Sequence, residues 1–360
     1  MKKLRVASIG CGGIANFVHK DGWLTAENAE IVATCDIVRE RAVEYAKAFG
    51  LDESDAYTDY KEVLKRDDVD AVDICTPNYL HSIIAIDALN AGKHVLTEKP
   101  DAMTPELAED MKAAAEANGK VLMAIRNNRF SNGSKYVKKL IENGELGEIY
   151  MARCGWQRRR GIPGKGGWFT TKSLSGGGPL IDLGVHMIDL TMYFMGNPAP
   201  ATVSGNIYTK FAGGDDVSDS EHSQFGDKTE GEGTFDVEDL ATGFVRFKNG
   251  ACMQLEFSWA SNIDKEKTYV ELRGDKAGIY WYPDGTVKLF GEKHGSTYDE
   301  EPHIWMRDWG ENHGENIHHF VDVVLNGAEP NFVPQQGIDV LKVIAGIYRS
   351  AEQGAEIKFD

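Results

Sequence analysis

A glycine-rich turn, Gly10-Cys11-Gly12-Gly13-Ile14-Ala15, directly follows the apolar run Leu4–Ile9. In this pattern Gly10 allows a tight turn, and Gly12 lets a diphosphate approach the backbone. Ala15 is small enough for close packing of a helix on a strand. The pattern therefore predicts a strand, a turn and a helix that bind a dinucleotide. The predicted cofactor-binding residues of this turn are Gly10, Gly12, Gly13 and Ile14.

Strands and helices alternate through the first third of the chain, which predicts right-handed βαβ units and a parallel sheet. The predicted strands are Leu4–Ile9, Ile31–Cys35, Ala71–Ile74, His94–Thr97 and Val121–Ala124. The predicted helices are Ile14–Thr25, Arg39–Phe49, Tyr60–Lys65, Leu80–Ala91 and Pro105–Asn118. The last of these begins with Thr104-Pro105, a pair typical of a helix start.

Beyond about residue 147, strand-like runs joined by turns dominate, interrupted by one helix at Pro179–Met195 and closed by another at Gly337–Gly354. This pattern favours an α+β domain on a large, mainly antiparallel open sheet. We therefore predict an α/β fold with a Rossmann domain over residues 1–125. Residues 126–360 are predicted to form the domain for substrate binding and oligomerisation, whose final helix can pack back on the first domain.

Composition excludes several function classes. A net charge of −17 opposes binding to nucleic acid or an anionic membrane. No run approaches the ~18 apolar residues of a membrane span, and no secretory leader is recognisable. The five cysteines form no C-x-x-C pair, so we expect reduced thiols in a cytoplasmic protein, with neither disulfides nor zinc.

A carboxylate stands where the adenosine ribose of a dinucleotide is bound. Asp36 ends the second predicted strand, about 20 residues after the glycine turn. It can accept hydrogen bonds from the ribose hydroxyls and would repel a 2′-phosphate, so NAD is preferred over NADP. Arg39 weakens this preference, because it can stack on adenine or pair with a phosphate. NADP is therefore left open.

Three further segments carry polar groups at the ends of predicted elements: Thr76-Pro77-Asn78-Tyr79-Leu80-His81, Glu98-Lys99-Pro100 and Asp182-Leu183-Gly184-Val185-His186. Together with the glycine turn, their order and spacing resemble the family of glucose-fructose oxidoreductase, inositol dehydrogenase and the MocA-like proteins. The resemblance covers nearly the whole chain. It implies a nicotinamide-dependent oxidoreductase acting on a sugar or polyol.

Lys99, Asp182 and His186 are the predicted catalytic residues. Oxidation of a secondary alcohol needs a base for the hydroxyl proton while hydride leaves the carbon. His186 is suited to that role near neutral pH, and Lys99 can assist or steady a developing alkoxide. Asp182, four residues before His186 on the predicted helix, can orient it or bind a substrate hydroxyl. In the resembling family the matching lysine and histidine are acid–base candidates, and the matching aspartate contacts substrate.

The remaining cofactor predictions concern the nicotinamide half. We expect Thr76, Pro77 and Asn78 to line the binding site of the nicotinamide ribose, with His81 near it. Glu98 can hydrogen-bond ribose hydroxyls. Lys99 counts among both the cofactor-binding and the substrate residues, and Pro100 aims it.

The substrate predictions are more open. Arg158 belongs to a cluster of three arginines, which can hold a polyhydroxylated or anionic substrate or pair with acidic groups at a subunit interface. Trp168 can stack on a sugar face. The segment His303–Trp309 can line the pocket or pack between subunits, and Phe211–Asp236 reads as a solvated insertion or a mobile loop. Packing roles, rather than metal ligation, are expected for the histidines at positions 313, 318 and 319.

Three functions are compatible with these residues. The leading one is an NAD-dependent dehydrogenase of sugars or polyols without a metal. The second is a glycosidase that oxidises its sugar transiently on bound NAD. The third, a non-catalytic NAD(P)-binding regulator, is disfavoured by Lys99, Asp182 and His186. The open sheet needs a cover, so we expect a homodimer or homotetramer.

Overall fold

The structure, a computed structural model, describes residues 3–212 and 234–359. Most of the predicted loop Phe211–Asp236 therefore lies outside the described residues. The chain divides into two compact units, the first made of Met1–Asn127 and Asp308–Ile338 and the second of Asn128–Arg307 and Asp339–Asp360. Among the helices of the described ranges, none combines the length and apolarity that crossing a membrane requires.

The first unit contains a six-stranded parallel sheet with the order β3-β2-β1-β4-β5-β6. This confirms the predicted Rossmann architecture. The short edge strand β3 was missed, because two residues carry no periodicity to detect. The strands are β1 (Leu4–Ile9), β2 (Ala29–Cys35), β3 (Ala56–Tyr57), β4 (Ala71–Ile74), β5 (His94–Thr97) and β6 (Leu122–Ala124).

The helices of this unit follow the predicted alternation. Thr104 caps α5 as expected, since its side chain accepts the Leu107 N–H at 3.3 Å. The helix predicted over Ile14–Thr25 is wrong in one respect, because it begins as a π-helix over Ala15–His19. The α-helices are α1 (Lys20–Leu24), α2 (Arg39–Ala48), α3 (Tyr60–Leu64), α4 (Asn78–Asn90) and α5 (Pro105–Asn118).

One helix reaches the first unit from far along the chain. Helix α10 (Trp309–Asn326), which was not predicted, begins with a capping box between Asp308 and Glu311. Its buried residues Ile317 and Phe320 share one hydrophobic cluster with core residues of β1 and α1. The first unit is therefore built from two separate stretches of sequence.

The second unit contains a nine-stranded sheet with the order β14-β13-β12-β11-β7-β10-β9-β8-β15. Among the described strands of this sheet, only β7 and β10 pair in parallel, so the predicted mainly antiparallel sheet is confirmed. The strands are β7 (Ile149–Gln157), β8 (Pro200–Tyr208), β9 (Leu240–Phe247), β10 (Cys252–Ser258), β11 (Lys267–Gly274), β12 (Ala277–Trp281), β13 (Val287–Lys293), β14 (Ser296–Glu300) and β15 (Ile357–Lys358).

The single helix predicted over Pro179–Met195 is divided into two helices. Leu183 separates them with φ −91° and ψ −37°. This φ departs from the ideal value of about −63° enough to interrupt the hydrogen-bond pattern, while the backbone stays in the helical region. The remaining α-helices in the described residues are α6 (Asn132–Glu142), α7 (Lys172–Ser175), α8 (Pro179–Asp182), α9 (Gly184–Phe194) and α11 (Pro334–Gln353).

Candidate active site

The three glycines of the turn in the first unit have two different roles. The fold requires a glycine at position 10, whereas the glycines at positions 12 and 13 border open space. Gly10 has φ +93°, and a Cβ there would lie 2.5 Å from the Cys75 carbonyl oxygen. A Cβ on Gly12 or Gly13 would meet nothing within 4 Å. Ile14 is the N-cap residue directly before the π-helix. The turn thus leaves open backbone at a helix start, which suits a diphosphate.

Asp36 follows β2 and lies beside this turn. Its Oδ2 accepts the Cys11 N–H at 2.9 Å, and its Oδ1 accepts the Val38 N–H at 2.9 Å. These two hydrogen bonds hold the carboxylate in place, and its contact with a ribose stays a prediction. The Arg39 guanidinium donates to two main-chain carbonyls of a neighbouring loop, and its contact with adenine or phosphate stays a prediction.

The residues after β4 form the next part of the cofactor side. The Thr76 hydroxyl oxygen is buried and has no hydrogen-bond partner among the described residues, which is unusual without a ligand. Pro77 precedes α4, whose first residue is Asn78. The buried His81 links two loops, since its Nδ1 lies 2.7 Å from the Pro100 oxygen and its Nε2 2.8 Å from the Thr76 oxygen.

Glu98 occupies a position that the sequence did not reveal. It is buried, and its Oε1 accepts a hydrogen bond from His19 Nε2 at 2.8 Å. Its Oε2 accepts the Lys99 N–H at 3.0 Å. Burial raises the pKa of Glu98, but the hydrogen bond and charge of His19 outweigh it and hold that pKa well below its usual range. The Lys99–Pro100 peptide is cis, and the ribose contact of Glu98 stays a prediction.

These features of the first unit fit a nicotinamide dinucleotide. The open glycine turn suits the diphosphate, the anchored Asp36 carboxylate suits ribose hydroxyls, and the Thr76 hydroxyl is available to a ligand. Lys99 follows β5 at the carboxyl edge of the parallel sheet, where ligands of such sheets bind.

In the second unit, Asp182 is held by a tryptophan. Trp259, which follows β10 and is fully buried, donates its indole N–H to Asp182 Oδ2 at 3.0 Å. His186, on α9, lies with its ring 6.0 Å from that of Trp156 on β7. Asp182 and His186 are both half-buried. Neither tryptophan was singled out from the sequence, because each reaches the site through strand pairing.

Arg158 joins the same group. Its guanidinium carbon lies 5.2 Å from the centre of the Trp156 ring. Burial lowers the pKa of Arg158, and the charges of Asp182 and Glu266 oppose that shift. Its Nε is buried without a hydrogen-bond partner in the part of the chain that the structure describes. In the second unit, Arg158 and His186 therefore both lie beside Trp156, and the charge of Asp182 acts on Arg158.

The other substrate predictions have separate settings. The ring of Trp168 stacks on that of Phe169 at 3.8 Å, and its contact with substrate stays a prediction. The main-chain N–H of Arg159 donates to Glu266. The Arg160 guanidinium donates to the Asn262 side chain. Of the three arginines, Arg158 is thus the one placed beside Asp182.

The start of α8, which carries Asp182, depends on two residues that the sequence analysis did not assign. Glu238 accepts the N–H groups of Gly178 and Leu180 at 3.0 and 3.1 Å, and the hydroxyl of Tyr348 donates to it at 2.9 Å. A Cβ on Gly178 would lie 2.0 Å from the Glu238 carbonyl oxygen. The glycines before Asp182 therefore serve close packing.

The segment His303–Trp309 is mostly exposed, with Trp305 73% accessible. The three histidines of α10 make hydrogen bonds within the first unit. His313 Nδ1 lies 3.1 Å from the Trp309 oxygen, His318 Nε2 3.1 Å from the Gly22 oxygen, and His319 Nε2 accepts the Asn331 N–H. These contacts give all three histidines structural roles.

Comparison with known proteins agrees with the sequence and the fold. A family described as an oxidoreductase family with an NAD-binding Rossmann fold matches residues 4–125, and its C-terminal alpha/beta domain matches residues 138–359. The D-glucoside 3-dehydrogenase of Escherichia coli is 35% identical, over 99% of this chain and 97% of its own length. The myo-inositol 2-dehydrogenase of Thermotoga maritima is 25% identical, over 99% of both chains.

Solved structures show the same fold. A levoglucosan dehydrogenase in complex with NADH and levoglucosan superposes with a TM-score of 0.85 at 23% identity, over 99% of each chain. An oxidoreductase domain protein from Kribbella flavida superposes with a TM-score of 0.85 at 24% identity, over 100% of each chain. The chain is therefore an NAD-dependent oxidoreductase and belongs to the family of glucose-fructose oxidoreductase, inositol dehydrogenase and the MocA-like proteins.

Proposed function

We propose that this chain oxidises a ring secondary hydroxyl of a sugar or polyol, with glucose-type pyranosides as the leading substrate class, and passes hydride to NAD⁺. The observation that carries this proposal is that the half-buried Arg158 and His186 both lie beside Trp156, with the half-buried Asp182 acting on Arg158 through its charge. A sugar presents hydroxyls to such polar groups and C–H faces to an indole ring. We choose glucosides as the leading substrates because the 35% identical relative is a D-glucoside 3-dehydrogenase.

In this reaction the chain's own residues handle the proton. NAD⁺, when bound, accepts the hydride that leaves the carbinol carbon with both C–H electrons. His186 takes the hydroxyl proton as the principal base, and the carbonyl double bond forms as the O–H bond breaks. Lys99 assists by steadying the developing alkoxide. Asp182, oriented by Trp259, accepts a hydrogen bond from a neighbouring substrate hydroxyl.

The test is the near-ultraviolet absorbance of NADH with a panel of polyols, free sugars and glycosides. Steady NADH production with a pyranoside is expected. His186→Ala and Lys99→Met should each lower kcat by about 100-fold or more. His294→Asn, in the exposed turn between β13 and β14, is the matched control and should leave kcat unchanged.

Two results would contradict this proposal in different ways. Glycoside cleavage without net NADH production would replace the dehydrogenase by a redox-neutral glycosidase. Near-normal kcat in His186→Ala on a turned-over substrate would remove His186 as the base while leaving the dehydrogenase function standing.

The assembly and its compartment are part of the same proposal. We expect a homodimer or homotetramer that covers the open sheet of the second unit, whose strands carry partly exposed aromatic residues such as Tyr150 and Tyr208. We place the protein in the cytoplasm, in keeping with five free cysteines, four of them buried. A light-scattering mass of 39.7 kDa, that of one chain, would contradict the oligomer.

A further inference from the structure

A cluster of buried charges lies inside the first unit, next to Lys99, and the proposed reaction does not yet use it. His19, at the end of the π-helix, is fully buried between Asp73 of β4 and Glu98. Its Nδ1 lies 3.0 Å from Asp73 Oδ2, and its Nε2 lies 2.8 Å from Glu98 Oε1. Trp23 adds an indole N–H to Asp73 at 2.7 Å.

The two carboxylates determine the charge of His19. Each ring nitrogen faces a carboxylate oxygen, which only accepts hydrogen bonds, and only an imidazolium donates from both nitrogens. Cys75 Sγ, a weak donor, lies 3.3 Å from Nδ1, farther than either oxygen of Asp73. Burial lowers the pKa of His19, but the charge and hydrogen bond of Asp73 outweigh it, so this pKa is raised well above its usual value. His19 is thus a buried cation that donates hydrogen bonds to two carboxylates.

A metal ion is a poorer explanation of the same cluster. Ligand atoms of His19, Asp73 and Cys75 all lie within 4.8 Å of one another. A doubly protonated imidazole has no lone pair for a metal. Cys75 Sγ lies 3.3 Å from His19 Nδ1 and 3.8 Å from Asp73 Oδ2, within hydrogen-bonding distance of both. The hydrogen bonds among these residues account for the cluster.

The cluster continues directly to Lys99. Glu98 receives His19 on one oxygen and the Lys99 N–H on the other. His19, the first residue of this connection, belongs to the π-helix. Such helices are rare and frequently occur at functional sites. A continuous path of hydrogen bonds therefore leads from the helix after the glycine turn to the main chain of Lys99.

We propose that His19 is a positioning residue: as an imidazolium it holds the Glu98 carboxylate and, through it, the Lys99 main chain in the orientation that hydride transfer needs. This inference rests on the proposed role of Lys99. The charged or titratable groups that surround His19 are Asp73, Cys75, Glu98, Tyr45 and His313, and the charge of Lys99 acts on Glu98.

His19→Gln is the main variant, because glutamine keeps one donor and removes the charge. We expect kcat to fall by about 100-fold, a size typical of small misplacements of a reacting group, with the Kd of NADH changed by less than about threefold. The matched control is His94→Gln in the same unit, where the His94 side chain only accepts the Val121 N–H. Glutamine can accept that bond equally, so kcat should stay unchanged.

The pH dependence separates positioning from loss of folding. Without His19, burial raises the pKa of Glu98, so the kcat profile of His19→Gln should gain an acid limb, with activity lost as pH falls. The double variant His19→Gln/Glu98→Gln should lose that limb. Wild-type kcat and an unchanged pH profile in His19→Gln would overturn the proposal.

A second measurement needs neither a substrate nor a folded His19 variant. In wild-type protein labelled with ¹⁵N-histidine, one ring should stay doubly protonated at about pH 9, where ordinary histidines are neutral. Its signal should shift in Glu98→Gln. Finding only neutral rings would overturn the proposal. A doubly protonated ring in a protein that turns over no sugar would instead count against the proposed function alone.

Discussion

The indole N–H of Trp259 donates a 3.0 Å hydrogen bond to Oδ2 of Asp182. Trp259 is fully buried and follows β10, and Asp182 is the last residue of α8. A residue predicted to contact substrate is thus oriented by a side chain 77 residues away in sequence. The bond can be removed without changing the shape of the core much, which makes it a direct test of the substrate side.

Trp259→Phe should lower kcat/KM for the sugar by about tenfold, because a hydrogen bond to a charged group is worth about 1.5–3 kcal/mol. The Kd of NADH should not change. The matched control is Trp281→Phe, since the buried Trp281 indole nitrogen has no hydrogen-bond partner among the described residues. Equal losses of kcat/KM in both variants would show that only packing was affected.

Asp36→Asn tests cofactor choice. The amide keeps one acceptor for the backbone N–H groups of Cys11 and Val38 but removes the charge that repels a 2′-phosphate. We expect the ratio of kcat/KM with NADP⁺ to that with NAD⁺ to rise by about tenfold or more. An unchanged ratio in steady-state assays would assign the preference to another residue.

Two alanine variants separate the folding and binding roles of the glycine turn. Gly12→Ala should leave the melting temperature unchanged, since its Cβ would meet no atom within 4 Å. It should still weaken NADH binding by about tenfold or more, because the methyl group fills space meant for the diphosphate. Gly10→Ala should destabilise the protein itself, through its positive φ and the Cys75 carbonyl. Normal NADH affinity in Gly12→Ala would place the diphosphate elsewhere.

His313 makes the protein acid-sensitive. Burial lowers its pKa from 6.5 to about 4, so at about pH 5 the unfolded chain binds a proton there that the folded chain does not. The contribution of the neutral His313 to the free energy of unfolding is fully present above pH 6.5 and is lost as the pH falls toward 4. Between about pH 7.5 and pH 5, the free energy of unfolding of wild type should therefore fall by about 2 kcal/mol more than that of His313→Gln. Urea titrations of both proteins at the two pH values measure this difference. Parallel pH dependence in both proteins would contradict this.

Local patterns predicted the first unit well. The parallel strands, the turn at Gly10 and the Thr104 cap depend on residues close in sequence, so local patterns predicted them. His19 was missed because its partners Asp73 and Glu98 lie 54 and 79 residues away and become neighbours only through the order of the parallel strands. A lone histidine near the start of a helix gives no sign of two buried carboxylates.

The second unit was harder to predict for a related reason. Trp156 and Trp259 face the predicted site residues through the pairing of β7 with β10. The paired residues of these strands are 101 positions apart in sequence, and such a register cannot be read from one sequence. The split of Pro179–Met195 at Leu183 reflects local backbone geometry that apolar periodicity does not report. Arg158, Asp182 and His186 were predicted from residue type and motif, and their roles stay predictions.

The contribution of α10 to the core of the first unit has a consequence for biosynthesis. Leu4, Val6 and Trp23 are made early, whereas Ile317 and Phe320, which share their hydrophobic cluster, are made about 300 residues later. At roughly 5–20 residues per second, the nascent nucleotide-binding unit waits on the order of 15–60 seconds for its missing helix. A fragment ending near residue 127 would expose this apolar surface, so we expect a ribosome-bound intermediate of that length to be a chaperone client.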